Sequence, residues 1–107
     1  MSFSMIAGNV RAMGVFSITI DVASVGAATS AEQTFTAPGV QVGDAVFVNP
    51  PSTLNDGLGF AGARVSAANT IAIRFVNATA GALNPAAATY VVLVVRPGST
   101  DATGFSP

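Results

Sequence analysis

The stretch LGFAGARVSAANTIAIRFVN, residues 58–77, decides the fold. Read with a period of two it is a pair of strands, with Ala61, Ala63 and Val65 on one face of the first and Ile71, Ile73 and Phe75 on one face of the second. Ala67-Ala68-Asn69 suits a three-residue hairpin loop, with Asn69 in the left-handed conformation that asparagine tolerates. That loop pairs Ser66 with Thr70, and so sets Val65 opposite Ile71, Ala63 opposite Ile73 and Ala61 opposite Phe75. Every apolar side chain then falls on one face, and Arg64 and Arg74 fall together on the other. A slip of one residue would turn Ile71, Ile73 and Phe75 toward the arginines, so the pattern fixes its own register.

Working outward, Phe16, Ile18, Ile20 and Val22 alternate with Ser17, Thr19, Asp21 and Ala23, which predicts a half-buried strand. Thr29 to Thr36 is a more polar strand, suited to an edge, and Ala37-Pro38-Gly39 turns the chain. Ala45 to Asn49 is a short strand stopped by Pro50 and Pro51, since proline cannot donate to a ladder. Asn55-Asp56-Gly57 signals the turn into the hairpin. After a loop from Ala78 to Ala87, Thr89 to Arg96 is almost continuously apolar, which predicts a strand buried on both faces. No helical stripe with caps occurs. The expected fold is all-β, an antiparallel β-sandwich or jelly roll of about six to eight short strands. The expected boundaries are an extended N-terminal arm over residues 1–13, a β-sandwich domain over 14–98 and a C-terminal tail over 99–107. The arm, MSFSMIAGNVRAM, offers Phe3, Met5, Arg11 and Met13 as adaptable contacts for a neighbouring subunit.

Composition narrows the function. Half of the 107 residues are hydrophobic, but only 8% are charged, against roughly 25% in an average soluble protein. There is no lysine, and the net charge is −1. Isolated small domains usually rely on a charged surface to stay unassociated. Interface cores, by contrast, are depleted of charge. Two readings compete: a monomer kept soluble by its many Ser, Thr, Asn and Gly residues and, favoured by the charge deficit, a surface covered by neighbours in an assembly. With no Cys and no His, there is no thiolate nucleophile, no imidazole base and no zinc site of the ordinary kinds. Four arginines in a net-negative chain leave no basic footprint for nucleic acid. The longest apolar run, Tyr90 to Val95, is too short to span a bilayer as a helix. Asp21 and the strand alternation before Ala28-Thr29-Ser30-Ala31 argue against a signal peptide there.

Gly57-Leu58-Gly59-Phe60-Ala61-Gly62 spells G-x-G-x-x-G, but a proline loop precedes it, a strand follows, and no acid stands about twenty residues on to hold a ribose. The glycines instead serve close approach of backbone. Asn77-Ala78-Thr79 is a glycosylation sequon in spelling alone. The five acids form no local carboxylate pair, so no catalytic, cofactor or metal residues are expected, nor a small-molecule substrate. Arg64 and Arg74, sharing a face, are the candidate partner-binding pair, because arginine forms bidentate pairs with carboxylates.

Residues 42–51, VGDAVFVNPP, and 62–77, GARVSAANTIAIRFVN, resemble a small β-rich module of tailed-phage virion proteins, found in capsid decoration (cement) proteins and at the ends of head or tail fibres. The likeness spans about residues 35–96 and rests on strand and turn wording. It implies a non-enzymatic virion structural protein, a homotrimer on the outer capsid surface, bound to a shell of major capsid proteins. The family has no active-site residues to transfer. The short segment before the first strand differs from fibres, which carry a stalk, and so favours decoration. One alternative is a tail-fibre or head-fibre tip binding host-surface glycan. Its candidate loops, 49–57 and 78–87, hold only Asp56 and no aromatic. Another is a tail or head-completion protein.

Overall fold

The computed structural model describes residues 10–98, so Phe3 and Met5 of the expected arm and the whole expected tail lie outside it. Six strands follow one another: β1 (Val10–Ile20), β2 (Thr29–Thr36), β3 (Ala45–Asn49), β4 (Leu58–Ala67), β5 (Thr70–Asn77) and β6 (Ala88–Pro97). They form two three-stranded antiparallel sheets, ordered β1-β6-β3 and β2-β5-β4. Every connection except the β4–β5 hairpin passes from one sheet to the other. The protein is an all-β sandwich.

β1 starts earlier than the sequence implied. Val10 to Met13, assigned above to the arm, are strand and pair with the end of β6. The small Ala12 and Gly14 hide the alternation of Met13 and Val15, and an irregularity between Val10 and Ala12 interrupts it further. The backbone partner supplied by β6 is invisible in a local reading.

The β4–β5 hairpin keeps the expected Val65–Ile71 and Ala63–Ile73 pairs, and Asn69 is left-handed with φ of 60°. Two bulges correct the ends. Near the loop, Ala67 rather than Ser66 opposes Thr70. Farther along, Phe60 rather than Ala61 opposes Phe75, because the strand takes up an extra residue between Phe60 and Gly62. Gly62 permits this bulge with φ of 153°, at the edge of the range that favours glycine. The consequence is large for packing: an aromatic ring, not a methyl group, meets Phe75, and Ala61 is exposed.

The core follows from that substitution of partners. Phe75 is fully buried, with Phe60 and Phe35 edge-on to it at centroid distances of 5.1 and 6.4 Å. Phe60 also stacks on Tyr90 of β6 at 6.1 Å, so one aromatic cluster ties the two sheets together. Ile20, Val22, Ile71, Ile73 and Val92 complete it, all sealed from solvent. The inward-facing polar group on β2, Gln33, is satisfied by the backbone of Ala23: its Nε2 donates to the Ala23 carbonyl and its Oε1 accepts the Ala23 amide. This clamp substitutes for a ladder just where β1 has ended.

Two asparagines organise the ends of the sandwich. Asn77, 1% exposed, donates from Nδ2 to the carbonyls of Val25 and Gly81, while its Oδ1 accepts from the Thr79 amide and hydroxyl. The sequon is thus spent inside the protein. At the opposite hairpin end, Asn69 accepts the Gly39 amide on Oδ1, and its backbone exchanges bonds with Ala37 and Val40. Of the G-x-G-x-x-G glycines, only Gly57 meets a close neighbour, Thr79; Gly59 and Gly62 face open space. The neighbour of Gly57 is a side chain and its φ is 84°, so the turn requires this glycine, and the expected close approach of backbone is not found at Gly57, Gly59 or Gly62.

Candidate protein interface

The outward side of each sheet can be read from its register, because residues directly opposite share a face. On β2-β5-β4 that side carries Ser30, Glu32 and Thr34 against Val76, Arg74 and Ala72, with Arg64 beyond. Glu32 lies across the ladder from Arg74, and Arg64 reaches it with two bonds, Nε to Oε2 at 3.1 Å and Nη2 to Oε1 at 2.8 Å. Arg74 donates to the Ser30 hydroxyl. The Arg64 hydrogen bond, helped by the charges of Arg64 and Arg74, holds the Glu32 carboxyl below its ordinary range. The structure thus brings Arg64 and Arg74 together as expected, with a carboxylate of the same chain between them.

The outward side of β1-β6-β3 has the opposite character. Three rows cross it: Met13–Val95–Ala45, Val15–Leu93–Phe47 and Ser17–Val91–Asn49. Seven of those nine side chains are apolar, and none is charged. Val15 is 68% exposed, Phe47 59%, Met13 52% and Val91 41%. The sequence reading of β6 as buried on both faces is corrected here. Tyr90 and Val92 are sealed in the core, but the alternate residues Val91, Leu93 and Val95 face outward and are only partly covered within the chain. Buried and uncovered apolar positions have the same spelling, so a continuous run of valines does not tell them apart.

Around the β3 edge the apolar surface continues. Val46, Phe47 and Val48 face Phe60, Ala61, Gly62 and Ala63 across a groove of about 280 Å³. β3 and β4 are both edge strands, so the groove runs between two unpaired strand edges. Phe47 belongs to both surfaces.

Of the other expected contacts, Met13 lies in the first row of the apolar face, while Arg11 is exposed and flanks a depression next to Arg96 and Pro97. Arg96 itself is structural. Its guanidinium makes two 2.8 Å bonds to Asp44 and one of 2.9 Å to the Gly39 carbonyl. The Asp44 side chain is 2% exposed, and the Arg96 bonds hold its carboxyl below the ordinary value, against the opposing effect of burial. Among the described residues no three acidic side chains converge on a cation site.

The sequence reading named Arg64, Arg74, Arg11 and Met13 and did not name Val15, Phe47, Val91, Leu93 and Val95, which share the uncovered apolar side with Met13. The exposure of Phe47 had a signal in the alternation Val46-Phe47-Val48, which sends Phe47 away from its neighbours. No family model matches the chain, and no curated protein or solved structure matches it either.

Proposed function

We propose that this protein is a non-enzymatic virion structural protein, a capsid decoration protein that binds and stabilises a shell of major capsid proteins. The observation that carries the reading is the uncovered apolar side of β1-β6-β3 in a chain with so few charges. Such a surface is costly to leave in water and gains free energy when another protein covers it. The resemblance of residues 42–51 and 62–77 to phage decoration modules directs the reading to a capsid. The mechanism is burial of area. Standard interfaces of about 1,600 Å² in total, repeated across a lattice of equivalent sites, give avidity without any single tight contact. Apolar contact also withstands salt better than exposed ion pairs do.

The reading is tested by quantifying and locating this chain in purified particles. Many copies spread over the outer shell, retained after a high-salt wash, support it. Absence from particles overturns it, and a handful of copies at one vertex reassigns the protein to the tail.

A further inference from the structure

We infer that the depression between Arg11 and Arg96 is a carboxylate-binding site, filled by one acidic side chain of a partner protein. The depression holds about 200 Å³ and lies where the start of β1 meets the end of β6, with residues 41–44 as its far wall. Arg96 stands there already fixed. Its Nε and Nη2 hold the two oxygens of Asp44, and Nη2 also donates to the Gly39 carbonyl. Those three bonds engage one side of the guanidinium and leave Nη1 without a partner among the described residues. The Arg96 side chain is 26% exposed, and its planar fork is held in place, so an anion that meets Nη1 has little ordering cost to overcome.

Arg11 arrives through an irregularity in the ladder. In an unbroken strand Arg11 and Ala12 would face opposite sides, and Ala12 is the residue across from Arg96. The register shifts between Val10 and Ala12, which makes Arg11 the extra residue, and Arg11 lines the same depression as Arg96. Bulges re-aim side chains in this way and are over-represented beside functional sites.

Charge decides the ligand. Arg11 and Arg96 carry two positive charges, and Asp44 cancels one of them. Asp44 is itself spent: its oxygens accept from Arg96 and from the Gln41 amide, and its side chain is 2% exposed. Among the described residues no carboxylate pairs with Arg11. A balance of one positive charge matches a single oxyanion and falls far short of the several cations that a phosphate backbone engages. The depression is also smaller than the roughly 300 Å³ at which pockets begin to take drug-sized ligands. A carboxylate fits, because its two oxygens can each accept from one guanidinium. That a partner protein carries it rests on the assembly reading above; the chemistry of the site does not. The Arg64–Arg74 pair is the internal contrast, since Glu32 of the same chain already stands between those two.

The test is a titration of the isotopically labelled full chain with N-acetylglutamate amide, followed by NMR on the arginine Nε–H signals. The Arg11 and Arg96 signals should move together and saturate, and those of Arg64 and Arg74 should move less. N-acetylglutamine amide, of the same shape without the charge, should move none of them. Arg11→Gln should weaken the probe by about two- to fivefold, the loss of one exposed ion pair. Arg11 is exposed, so that variant should keep the denaturation midpoint of the wild type. Equal responses at both arginine pairs would mean that anions associate with any arginine, and would overturn the inference. An unsaturable or missing response at Arg11 and Arg96 overturns it too, as does an Arg11→Gln variant that binds the probe like the wild type. No particle enters this experiment, so the site and the capsid reading fail separately.

Discussion

The two outward faces of this sandwich are built on the same backbone plan and given opposite chemistry. Both are the solvent side of a three-stranded antiparallel sheet, and both centre on a strand paired on each side, β5 in one and β6 in the other. On β5 the outward residues include Arg74, answered by Glu32 and Arg64. On β6 they are Val91, Leu93 and Val95, answered by Val15, Phe47 and Met13. Most antiparallel sheets at a surface alternate apolar-in and polar-out. β5 follows that rule at Thr70 and Arg74 but not at Ala72 and Val76, and β6 breaks it from Val91 to Val95, after the outward Thr89. Under the proposed function, the apolar side is the one that meets protein.

The largest expected effect tests the surface that both sheets share. Phe75→Ala should lower unfolding free energy by about 3–5 kcal/mol in denaturant titrations at fixed protein concentration, because it removes the ring on which Phe35 and Phe60 both rest. Val15→Ser, by contrast, should leave the midpoint nearly unchanged while altering association. A large stability loss from Val15→Ser would mean the outward face is part of the folding core, and the comparison would break.

Next in size is the Arg96–Asp44 pair, which pins the 39–44 loop to β6 beneath the apolar face. Asp44 has its proton affinity lowered in the folded chain, relative to an ordinary value of 3.8. The folded state therefore binds that proton less readily than the unfolded state. The resulting stabilisation is fully present above about pH 4 and is lost as pH falls through the lowered folded value. Thermal melts of Asp44→Asn should show a lower midpoint at neutral pH and a shallower acid limb than the wild type. Parallel curves would mean that Arg96 and Asp44 do not hold the loop.

Smaller still is Tyr90→Phe. Tyr90 is fully buried at the meeting point of the sheets, its hydroxyl has no protein partner among the described residues, and burial raises its pKa. Removing an unpaired buried hydroxyl should leave stability unchanged or raise it by up to about 1 kcal/mol. A clear loss would reveal an ordered water in the neighbouring cavity between Pro51 and Pro85.

How much of this was legible in the sequence depends on whether the signal was local. The β4–β5 register, the left-handed Asn69, the limits of β2 and β3 and the shared face of Arg64 and Arg74 all follow from alternation and turn chemistry within a few residues. The Phe60–Phe75 pairing was hidden because a bulge at Gly62 resets the count by one. The Glu32 partner of the arginines lies 32 residues from Arg64, and its arrival there depends on which strand borders β5. The apolar face was hidden for the same reason. Val15, Leu93 and Phe47 become a single row only when β6 lies between β1 and β3, and no local pattern announces that order.

The smallest stability effect carries the finest test of the comparison. Glu32→Gln removes an exposed ion pair, which contributes little after screening by solvent and salt. Its folding midpoint should stay near that of the wild type, with only the slight acid-side dependence of Glu32 removed: that carboxyl is lowered from 4.5, so its contribution is present above that pH and fades below. What changes is the availability of Arg64 and Arg74, now freed from a competing carboxylate. If the arginine face seats the protein on acidic groups of a shell, Glu32→Gln should raise occupancy on particles at low salt, and Arg74→Glu should lower it. If neither variant alters occupancy, the polar face merely faces water, and attachment belongs to the apolar side of the molecule.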